Sequence, residues 1–269
     1  MERYPVPAIR IVLFDLGNTL IYFDGDWRQV IRRSAEWLGE ELSRCYGCSL
    51  KPGEFADIYL GILKSEYDRR EVDLQERTSA WVIGKVIEYL DLPPINLDET
   101  RRLLAGFYSI LQAHWRTESD THSVLQTLRR LGYGLGLVSN AADDADVQVL
   151  IDQAEIRPYF DVILTSARAG VRKPHPQIFH AALADWNADP SEAVMVGDLL
   201  GADILGARNL NMRSVWITRR ANVPHNQQYV GIVKPDVQID TLLPLPDILS
   251  EWNQKASACS QNSINQKMD

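Results

Sequence analysis

The sequence has only three cysteines among its 269 residues, an odd number that cannot be fully paired in disulfides. Two of them, Cys45 and Cys48, stand in the stretch "CYGC". No second pair of cysteines or histidines follows at the spacing of a zinc site. Cys45 also falls near the end of a predicted helix, where the helix dipole disfavours a thiolate. We therefore interpret these cysteines as structural thiols rather than redox centres or metal ligands.

Long apolar runs are missing as well. No stretch approaches the roughly 18 residues that a membrane-spanning helix needs. The N-terminal residues "MERYPVPAIR" lack the apolar centre of a signal peptide. These absences predict a cytoplasmic protein that has no membrane partner.

A basic block is the third absence. The formal net charge is −8, from 28 lysines and arginines against 36 aspartates and glutamates. No cluster of positive charge offers a footprint for nucleic acid, so we expect no nucleic-acid partner. An anionic small molecule would need local positive charge or a metal ion. The composition leaves open whether the chain is a monomer or a homodimer.

The sequence does contain an alternation of short apolar runs with helical stretches. Hydrophobic residues make up 45% of the chain, enough for a sizeable core. The helical stretches have about the length of a crossover between parallel strands. We therefore predict an α/β fold with a doubly wound, mostly parallel sheet. The predicted strands are Ile9–Phe14, Tyr133–Ser139, Asp161–Thr165, Ala193–Gly197, Ser214–Thr218 and Asp236–Ile239.

Between Leu20 and His122 the apolar residues recur only at helical spacing. The fourth helix of this stretch is predicted to begin at Asn96, which forms a capping-box-like pair with Glu99. About a hundred residues of helix thus interrupt a sheet domain just after its first strand. We expect this insertion, residues 21–118, to form a separate helical lobe over the carboxyl edge of the sheet.

The rest of the chain divides into a sheet domain and a tail. The α/β domain is predicted to comprise residues 1–20 and 119–253. Residues 254–269 have few apolar side chains and no periodicity, which predicts a disordered tail. The glycines of "GYGLG" fall within a strand pattern, so a dinucleotide-binding loop is poorly supported.

Polar residues follow several of the predicted strands. In "VLFDLGNTL", Asp15 ends an apolar run, although a buried carboxylate is costly unless something charged meets it. Ser139 ends the next strand, Asp198 follows "AVMVG", and Lys173 lies in the loop after "DVILT". Because ligands bind at the carboxyl ends of the strands in open α/β sheets, we expect these four residues to converge on one edge.

These residue types together suit chemistry on a phosphate group. A carboxylate can attack phosphorus as a nucleophile, but a phosphate monoester is itself an anion that repels it. Asp15 and Asp198 together can hold Mg²⁺, which prefers oxygen ligands and bridges to substrate phosphates. Lys173 adds a second positive charge, and Ser139 offers a hydroxyl to the phosphoryl oxygens.

Four stretches of the sequence carry a family resemblance. In order and rough spacing, "FDLGNT", "VSN", the lysine of "RKP" and "GDLLGAD" resemble the four motifs of the haloacid dehalogenase superfamily. The helical insertion after the first motif resembles the cap of that family. The resemblance implies a Rossmann-like core and a Mg²⁺-dependent phosphohydrolase that acts on a small phosphorylated metabolite through an aspartyl-phosphate.

The resemblance also implies a role for each matching residue. Asp15 would be the nucleophile and a metal ligand, and Lys173 would orient the nucleophile and the phosphate. Further metal ligands would be the carbonyl of Gly17 and the carboxylates of Asp198 and Asp203, the last directly or through a water. The implied substrate-binding residues are Ser139 and Asn140.

Gly17 departs from the family pattern. Most phosphatases of the family place a second aspartate here, which protonates the leaving oxygen and later deprotonates the attacking water. Such acid–base help is typically worth about 10²- to 10⁴-fold. Its loss is serious for an alkoxide and matters less for a weakly basic leaving group, such as that of an acyl phosphate. A positive φ at Gly17 would prevent a side chain from being restored there without strain.

Two alternative functions stay open at this point. Gly17 favours a relative that binds phosphate and metal without turnover. A haloacid dehalogenase is a weaker alternative, because that chemistry needs no Mg²⁺ and leaves Asp198 and Asp203 with little to do.

Several residues near the predicted site receive structural interpretations. His114 and His122 flank the return from the insertion and could replace the missing acid, but a lone histidine is more often structural or solvated. The same holds for His175 beside Lys173.

The entry to the insertion and one of its helix ends are interpreted in the same way. This entry contains Tyr22, Phe23, Asp24 and Trp27. Aromatic residues at such a hinge are more often part of the core than of a cavity wall. We interpret Arg69 and Arg70 as a solvated helix end rather than a clamp for substrate.

Overall fold

A computed structural model describes residues 8–265 of the chain. Within these residues the strands are β1 (Ile11–Phe14), β2 (Ile21–Phe23), β3 (Trp115–Thr117), β4 (Gly134–Ser139), β5 (Val162–Thr165), β6 (Ala193–Gly197), β7 (Arg213–Ile217) and β8 (Val237–Ile239). The α-helices are α1 (Trp27–Tyr46), α2 (Pro52–Asp73), α3 (Ser79–Tyr89), α4 (Leu97–Gln112), α5 (Thr121–Arg130), α6 (Asp144–Gln153), α7 (Ser166–Ala169), α8 (Pro176–Leu183), α9 (Leu205–Asn209), α10 (Pro224–Gln227) and α11 (Leu245–Asn265).

Six strands form one parallel sheet in the order β5-β4-β1-β6-β7-β8. The central strand is β1, in which Ile11 pairs with Gly134 of β4 on one side and with Ala193 of β6 on the other. All four residues of β1 are buried, as in a strand whose two faces are both covered. The predicted α/β fold with a parallel sheet is confirmed. The strand order reverses at β1, and ligand sites form at such a reversal.

Helices pack on both faces of the sheet. One apolar core joins the sheet to α5, α6 and α11, through residues such as Leu125, Ile151 and Leu249. A second core joins the opposite face to α8 and α9, through Phe179 and Ala207. None of the helices within residues 8–265 is long and apolar enough to cross a bilayer.

The helices α1 to α4 share an apolar cluster of their own, which includes Leu38, Phe55 and Leu103. The predicted start of the fourth helix is confirmed, since the side chain of Asn96 accepts a hydrogen bond from the backbone N–H of Glu99 at 2.8 Å. The carboxylate of Glu99 pairs with Arg102 at 2.7 Å instead of completing a capping box. This helical lobe therefore has its own core.

A short ribbon joins the helical lobe to the sheet domain. The sequence pattern indicated helices only between Leu20 and His122, and this prediction is wrong for β2 and β3, which pair antiparallel with Phe23 opposite Trp115. Strands of three residues are too short to show a period of two. The chain thus leaves the sheet domain and returns to it side by side, and the exact limits 21–118 stay a prediction.

The last helix, α11, runs from Leu245 to Asn265. It extends into the segment 254–269 for which the sequence predicts a disordered tail, and that tail stays a prediction. The side chain of Asn253 ties this helix to the start of the sheet, because it accepts from the N–H of Ile9 at 2.7 Å and donates to its carbonyl at 2.9 Å. Ala256 is buried one turn later. The apolar first half of α11 is thus packed against the sheet domain, and a polar stretch without apolar periodicity continues the same helix. Residues 266–269 lie outside the described part of the chain.

Candidate active site

The polar residues at the strand ends meet in one cavity. Asp15 directly follows β1, Ser139 ends β4, Asp198 directly follows β6, and Lys173 lies between α7 and α8. All four line the same cavity of about 660 Å³ at the carboxyl edge of the sheet. The structure thus brings together the residues that the sequence placed at this edge.

Lys173 is the cationic centre of the site. Its Nζ lies 2.7 Å from Asp15 Oδ1 and 2.7 Å from Asp203 Oδ1, and it donates to the carbonyl of Val138 at 2.6 Å. Burial opposes the charge on Lys173, but the two carboxylates outweigh it and raise the pKa of the ammonium. The lysine is therefore a fixed positive charge against Asp15.

Three carboxylates crowd around this single lysine. Oxygens of Asp15, Asp198 and Asp203 all lie within 4.8 Å of one another. Burial, opposed by Lys173 and reinforced by Asp203, raises the pKa of Asp15 to about 6, and burial with the neighbouring carboxylates also raises the pKa of Asp198. Asp203 Oδ1 is buried and, although close to Lys173, receives no well-aligned hydrogen bond. This excess of buried negative charge over the single lysine fits a divalent cation, for which carboxylates are the preferred ligands.

The loop after β6 is shaped to hold two of these carboxylates. Asp203 lies in a π-helical turn, and its Oδ2 accepts from the N–H of Leu199 at 2.9 Å. A Cβ on Gly197 would stand 2.3 Å from that oxygen, so only glycine fits there. From the segment after β7, Asn226 Nδ2 donates to the carbonyl of Asp198 at 2.9 Å.

Asn140 supports the lysine loop. Its Oδ1 accepts from the N–H of Lys173 at 2.8 Å, and its Nδ2 donates to the carbonyl of the same residue at 3.0 Å. The amide thus clamps the backbone that carries the lysine. The side chain of Asn140 thus positions Lys173, and the substrate-binding role of this cavity-lining residue stays a prediction.

Gly17 is not strained. Its φ is not positive, and the left-handed residue of the loop is Asn18, with a φ of 58°, a conformation that asparagine tolerates better than most residues. A Cβ built on Gly17 would lie 3.5 Å from Cη2 of Trp115, an ordinary van der Waals contact. The backbone therefore accepts a side chain at residue 17, and the indole of Trp115 borders the space it would enter.

The three histidines considered for the missing acid do not line the cavity among the described residues. His114 stacks on Phe23, with its Nδ1 3.0 Å from the carbonyl of Asp24. His122 Nδ1 lies 3.3 Å from the hydroxyl of Tyr159, and His175 caps α8. These contacts agree with the structural interpretation.

The structural interpretations of the residues at the entry to the helical lobe and of the two arginines at a helix end hold for some of these residues and not for others. Trp27 lines the cavity and is 42% exposed, whereas Tyr22, Phe23 and Asp24 are not among its described lining residues. The prediction of a solvated Arg70 is wrong: its side chain is buried, lines the cavity, and pairs with Glu76 at 2.9 Å. The Arg69 side chain is exposed, as expected.

Asp146 and His225 are among the titratable groups of the cavity wall that escaped the sequence analysis. Burial raises the pKa of Asp146 to about 7, although Gln112 donates to its Oδ1 at 2.9 Å. His225 lies 3.0 Å from Glu71 of α2, and that hydrogen bond raises the pKa of the imidazole. The acidic run "DDAD" close behind "VSN" was a usable signal for Asp146. His225 gave none, because its partner is distant in the sequence.

Relatives of known name match large parts of the chain. It is 34% identical over 243 residues to the pyrimidine 5'-nucleotidase YjjG of Escherichia coli, with 88% of this chain and 96% of that protein covered. It is 29% identical over 220 residues to the glyceraldehyde 3-phosphate phosphatase of Pyrococcus furiosus, with 77% and 80% covered. The match to the enzyme of the same name from Pyrococcus abyssi is 36% identical over 131 residues but spans only 54% of that protein.

Solved structures and a family model complete the comparison. A HAD phosphatase from Thermococcus onnurineus superposes with a TM-score of 0.60 at 28% identity, over 90% of this chain and 98% of that one. A 2-haloacid dehalogenase from Pseudomonas syringae has a TM-score of 0.64 at 24% identity, over 91% and 99%, and shows the shared fold. The model of the haloacid dehalogenase-like hydrolases matches residues 9–211. The chain therefore belongs to the haloacid dehalogenase-like hydrolase family, as its four motifs indicated, and is a hydrolase.

Proposed function

We propose that this hydrolase is a Mg²⁺-dependent phosphatase that cleaves a small phosphorylated metabolite through an aspartyl-phosphate on Asp15. The observation that carries the proposal is the cluster of Lys173 with the carboxylates of Asp15, Asp198 and Asp203 at the floor of the cavity. Relatives named as phosphatases and as a nucleotidase support it. The cytoplasmic location and the monomeric or homodimeric state stay predictions.

The metal in this proposal would be held by Asp15, the carbonyl of Gly17, Asp198 and Asp203. Bound there, Mg²⁺ would supply the positive charge that offsets the repulsion between the carboxylates and the substrate phosphate.

The residues of the chain divide the remaining work. The carboxylate of Asp15 forms a bond to phosphorus while the leaving group departs with its electron pair. Lys173 holds Asp15 in place and adds charge beside the phosphoryl group, and the hydroxyl of Ser139 donates to a phosphoryl oxygen. Water then cleaves the bond between Asp15 and phosphorus. Because Gly17 offers no proton, weakly basic leaving groups depart fastest.

Replacing Asp15 by asparagine tests the proposal. We expect Asp15→Asn to abolish hydrolysis of a phosphorylated-metabolite panel that includes acetyl phosphate, because an amide is a poor nucleophile, while the circular dichroism spectrum stays that of the parent. The matched control is Asp24→Asn, which alters an exposed aspartate outside the cavity. Retained turnover in Asp15→Asn would show that Asp15 is not the nucleophile.

The same assay separates the alternatives. Binding of phosphate analogues with Mg²⁺ but without turnover of any substrate would identify a non-catalytic relative, which the absent side chain at Gly17 favours. Dehalogenation of haloacids that survives a chelator would identify a dehalogenase.

A further inference from the structure

An aromatic ring borders the loop of the nucleophile. Cη2 and Cζ3 of Trp115 lie 3.5 and 3.8 Å from the position of a Cβ on Gly17, two residues after Asp15. The indole is held edge-to-face by Phe23, with ring centroids 5.6 Å apart, and by Trp27 at 6.5 Å. Asp15 lies at the floor of the cavity, so the group that departs from phosphorus must extend into the cavity beside these rings.

The cavity offers far more room than a phosphate group needs. Its volume of about 660 Å³ falls in the range that accommodates drug-sized ligands. Aromatic side chains face this space from several elements, and they are Trp27, Tyr59, Tyr67, Phe107, Tyr108 and Trp115. The lining also contains charged groups, among them Arg70, Asp146 and His225. Aromatic rings pair favourably in stacked and edge-to-face arrangements, so the aromatic part of the wall suits a flat, apolar leaving group.

The missing side chain at Gly17 points to the same chemistry. The leaving oxygen must carry its negative charge until solvent supplies a proton. A phenol has a pKa of about 10, against nearly 16 for water, the model of a simple alkoxide. An aromatic ring spreads the charge, so a phenolate departs without the acid that an alkoxide requires.

We propose that the cavity selects phosphate esters of phenols and related aromatic hydroxyl compounds, with Trp115 as a specificity-determining residue. This inference rests on the proposed phosphatase function. In the first step the bond from Asp15 to phosphorus forms and the bond from phosphorus to the aryl oxygen breaks, with the electron pair leaving on the phenolate. In the second step water displaces Asp15 and yields dihydrogen phosphate, one proton of which neutralises the phenolate.

Four phosphates test the ring and the leaving group separately. Phenyl phosphate has a ring and a weakly basic leaving group, and benzyl phosphate has a ring and an alkoxide. Acetyl phosphate has a weakly basic leaving group without a ring, and propyl phosphate has neither. We expect phenyl phosphate to have a lower KM than acetyl phosphate and at least a 100-fold higher kcat/KM than benzyl phosphate, on the order of the value of acid catalysis.

Failures of the two proposals look different in this panel. Turnover of acetyl phosphate with no lower KM for phenyl phosphate would overturn the inference and leave the phosphatase function intact. Equal rates for benzyl and phenyl phosphate would overturn it too, because an acid would then be present. No turnover of phenyl phosphate with Mg²⁺ would overturn the inference. The phosphatase function would fall as well if no member of the metabolite panel were hydrolysed.

Variants of Trp115 test the role of the indole. We expect Trp115→Leu to lower the preference for phenyl over acetyl phosphate by about two- to tenfold, the value of an aromatic pair, mainly through KM. Trp115→Phe should keep most of the preference and guards against misfolding of the leucine variant. The control Tyr89→Leu removes an aromatic side chain that is 69% exposed and outside the described lining. Equal losses on both substrates in Trp115→Leu would indicate a structural role and overturn the assignment.

Discussion

Gly17 stands where the resemblance to the family's phosphatases implies an aspartate, and the structure makes this difference testable. Its backbone and surroundings accept a Cβ, so Gly17→Asp should fold once the tip of Trp115 shifts. We expect this variant to accelerate propyl phosphate more than acetyl phosphate, up to about the 10²- to 10⁴-fold value of acid–base catalysis. Steady-state rates on the two substrates measure the difference.

The matched control is Gly17→Ala, which adds the Cβ without the acid and should give no differential gain. If the folded Gly17→Asp protein also shows none, another group of the cavity already supplies the proton.

Asp146 links the cavity to stability. Burial raises its pKa from the ordinary 3.8 to about 7, so the folded state binds this proton more tightly than the unfolded state. The contribution of Asp146 to the free energy of unfolding is therefore fully present below about pH 4 and is lost as the pH rises towards 7. We expect Asp146→Asn, which can keep the bond from Gln112, to exceed the parent by about 1–3 kcal/mol at pH 8.

Urea unfolding at pH 4 and pH 8 measures this effect. The difference between variant and parent should be small at pH 4, and exposed Asp24→Asn serves as the control for the substitution itself. Equal differences at both pH values would contradict the prediction.

The predictability of the site differs from residue to residue. Asp15, Ser139, Lys173 and Asp198 were found because each follows a recognisable strand, and strand ends meet at one edge. The roles of Asn140 and Trp115 depend on contacts with segments distant in sequence, which no local pattern encodes.

At the scale of elements, the contact between α1 and α2 is close enough to require a glycine. A Cβ on Gly39 of α1 would stand 2.8 Å from Cγ and 3.0 Å from Cβ of the buried Phe55. We expect Gly39→Ala to lower the free energy of unfolding by about 1–3 kcal/mol, as overpacking does. Thermal or urea unfolding measures it.

The control for this prediction is Gly61→Ala in α2, where nothing lies within 4 Å of the added Cβ. Alanine is the better helix former, so this variant should gain about 0.5–1 kcal/mol. A gain in Gly39→Ala as well would show that the two helices have room to separate.

The elements that the sequence predicted well share a physical cause. The strands β1, β4 and β6 are short apolar runs that are buried along nearly their whole length, and such burial is visible in composition alone. The ribbon of β2 and β3 was missed because its stability comes from pairing between distant segments. The second half of α11 is polar, and apolar periodicity does not reveal a helix in such a sequence.

For the whole molecule, a bound cation should stabilise the fold. Mg²⁺ that binds only the folded state raises the free energy of unfolding, by about 2.7 kcal/mol at a hundred times its Kd. We expect Mg²⁺ to raise the melting temperature by several degrees and Asp198→Asn to lose most of that increment. Differential scanning fluorimetry with and without a chelator measures it.

The quantity to compare is the rise in melting temperature that Mg²⁺ causes in each protein. The melting temperature alone is not sufficient, because removing a crowded carboxylate changes stability on its own. Exposed Asp247→Asn is the control and should keep the full increment. An equal increment in all three proteins would indicate cation binding elsewhere on this acidic chain.

The central position of β1 has a consequence for the order in which the molecule is made. During synthesis the chain emerges at about 5–20 residues per second, and β1 leaves the ribosome first although both of its neighbours, β4 and β6, come much later. The helices α1 to α4 complete their own core in the meantime, since their contacts are local. The middle of the sheet is thus translated first and finished last. A chain that stops short of β6 leaves one edge of the apolar strand β1 unpaired, and we expect a nascent or truncated form to aggregate through that edge.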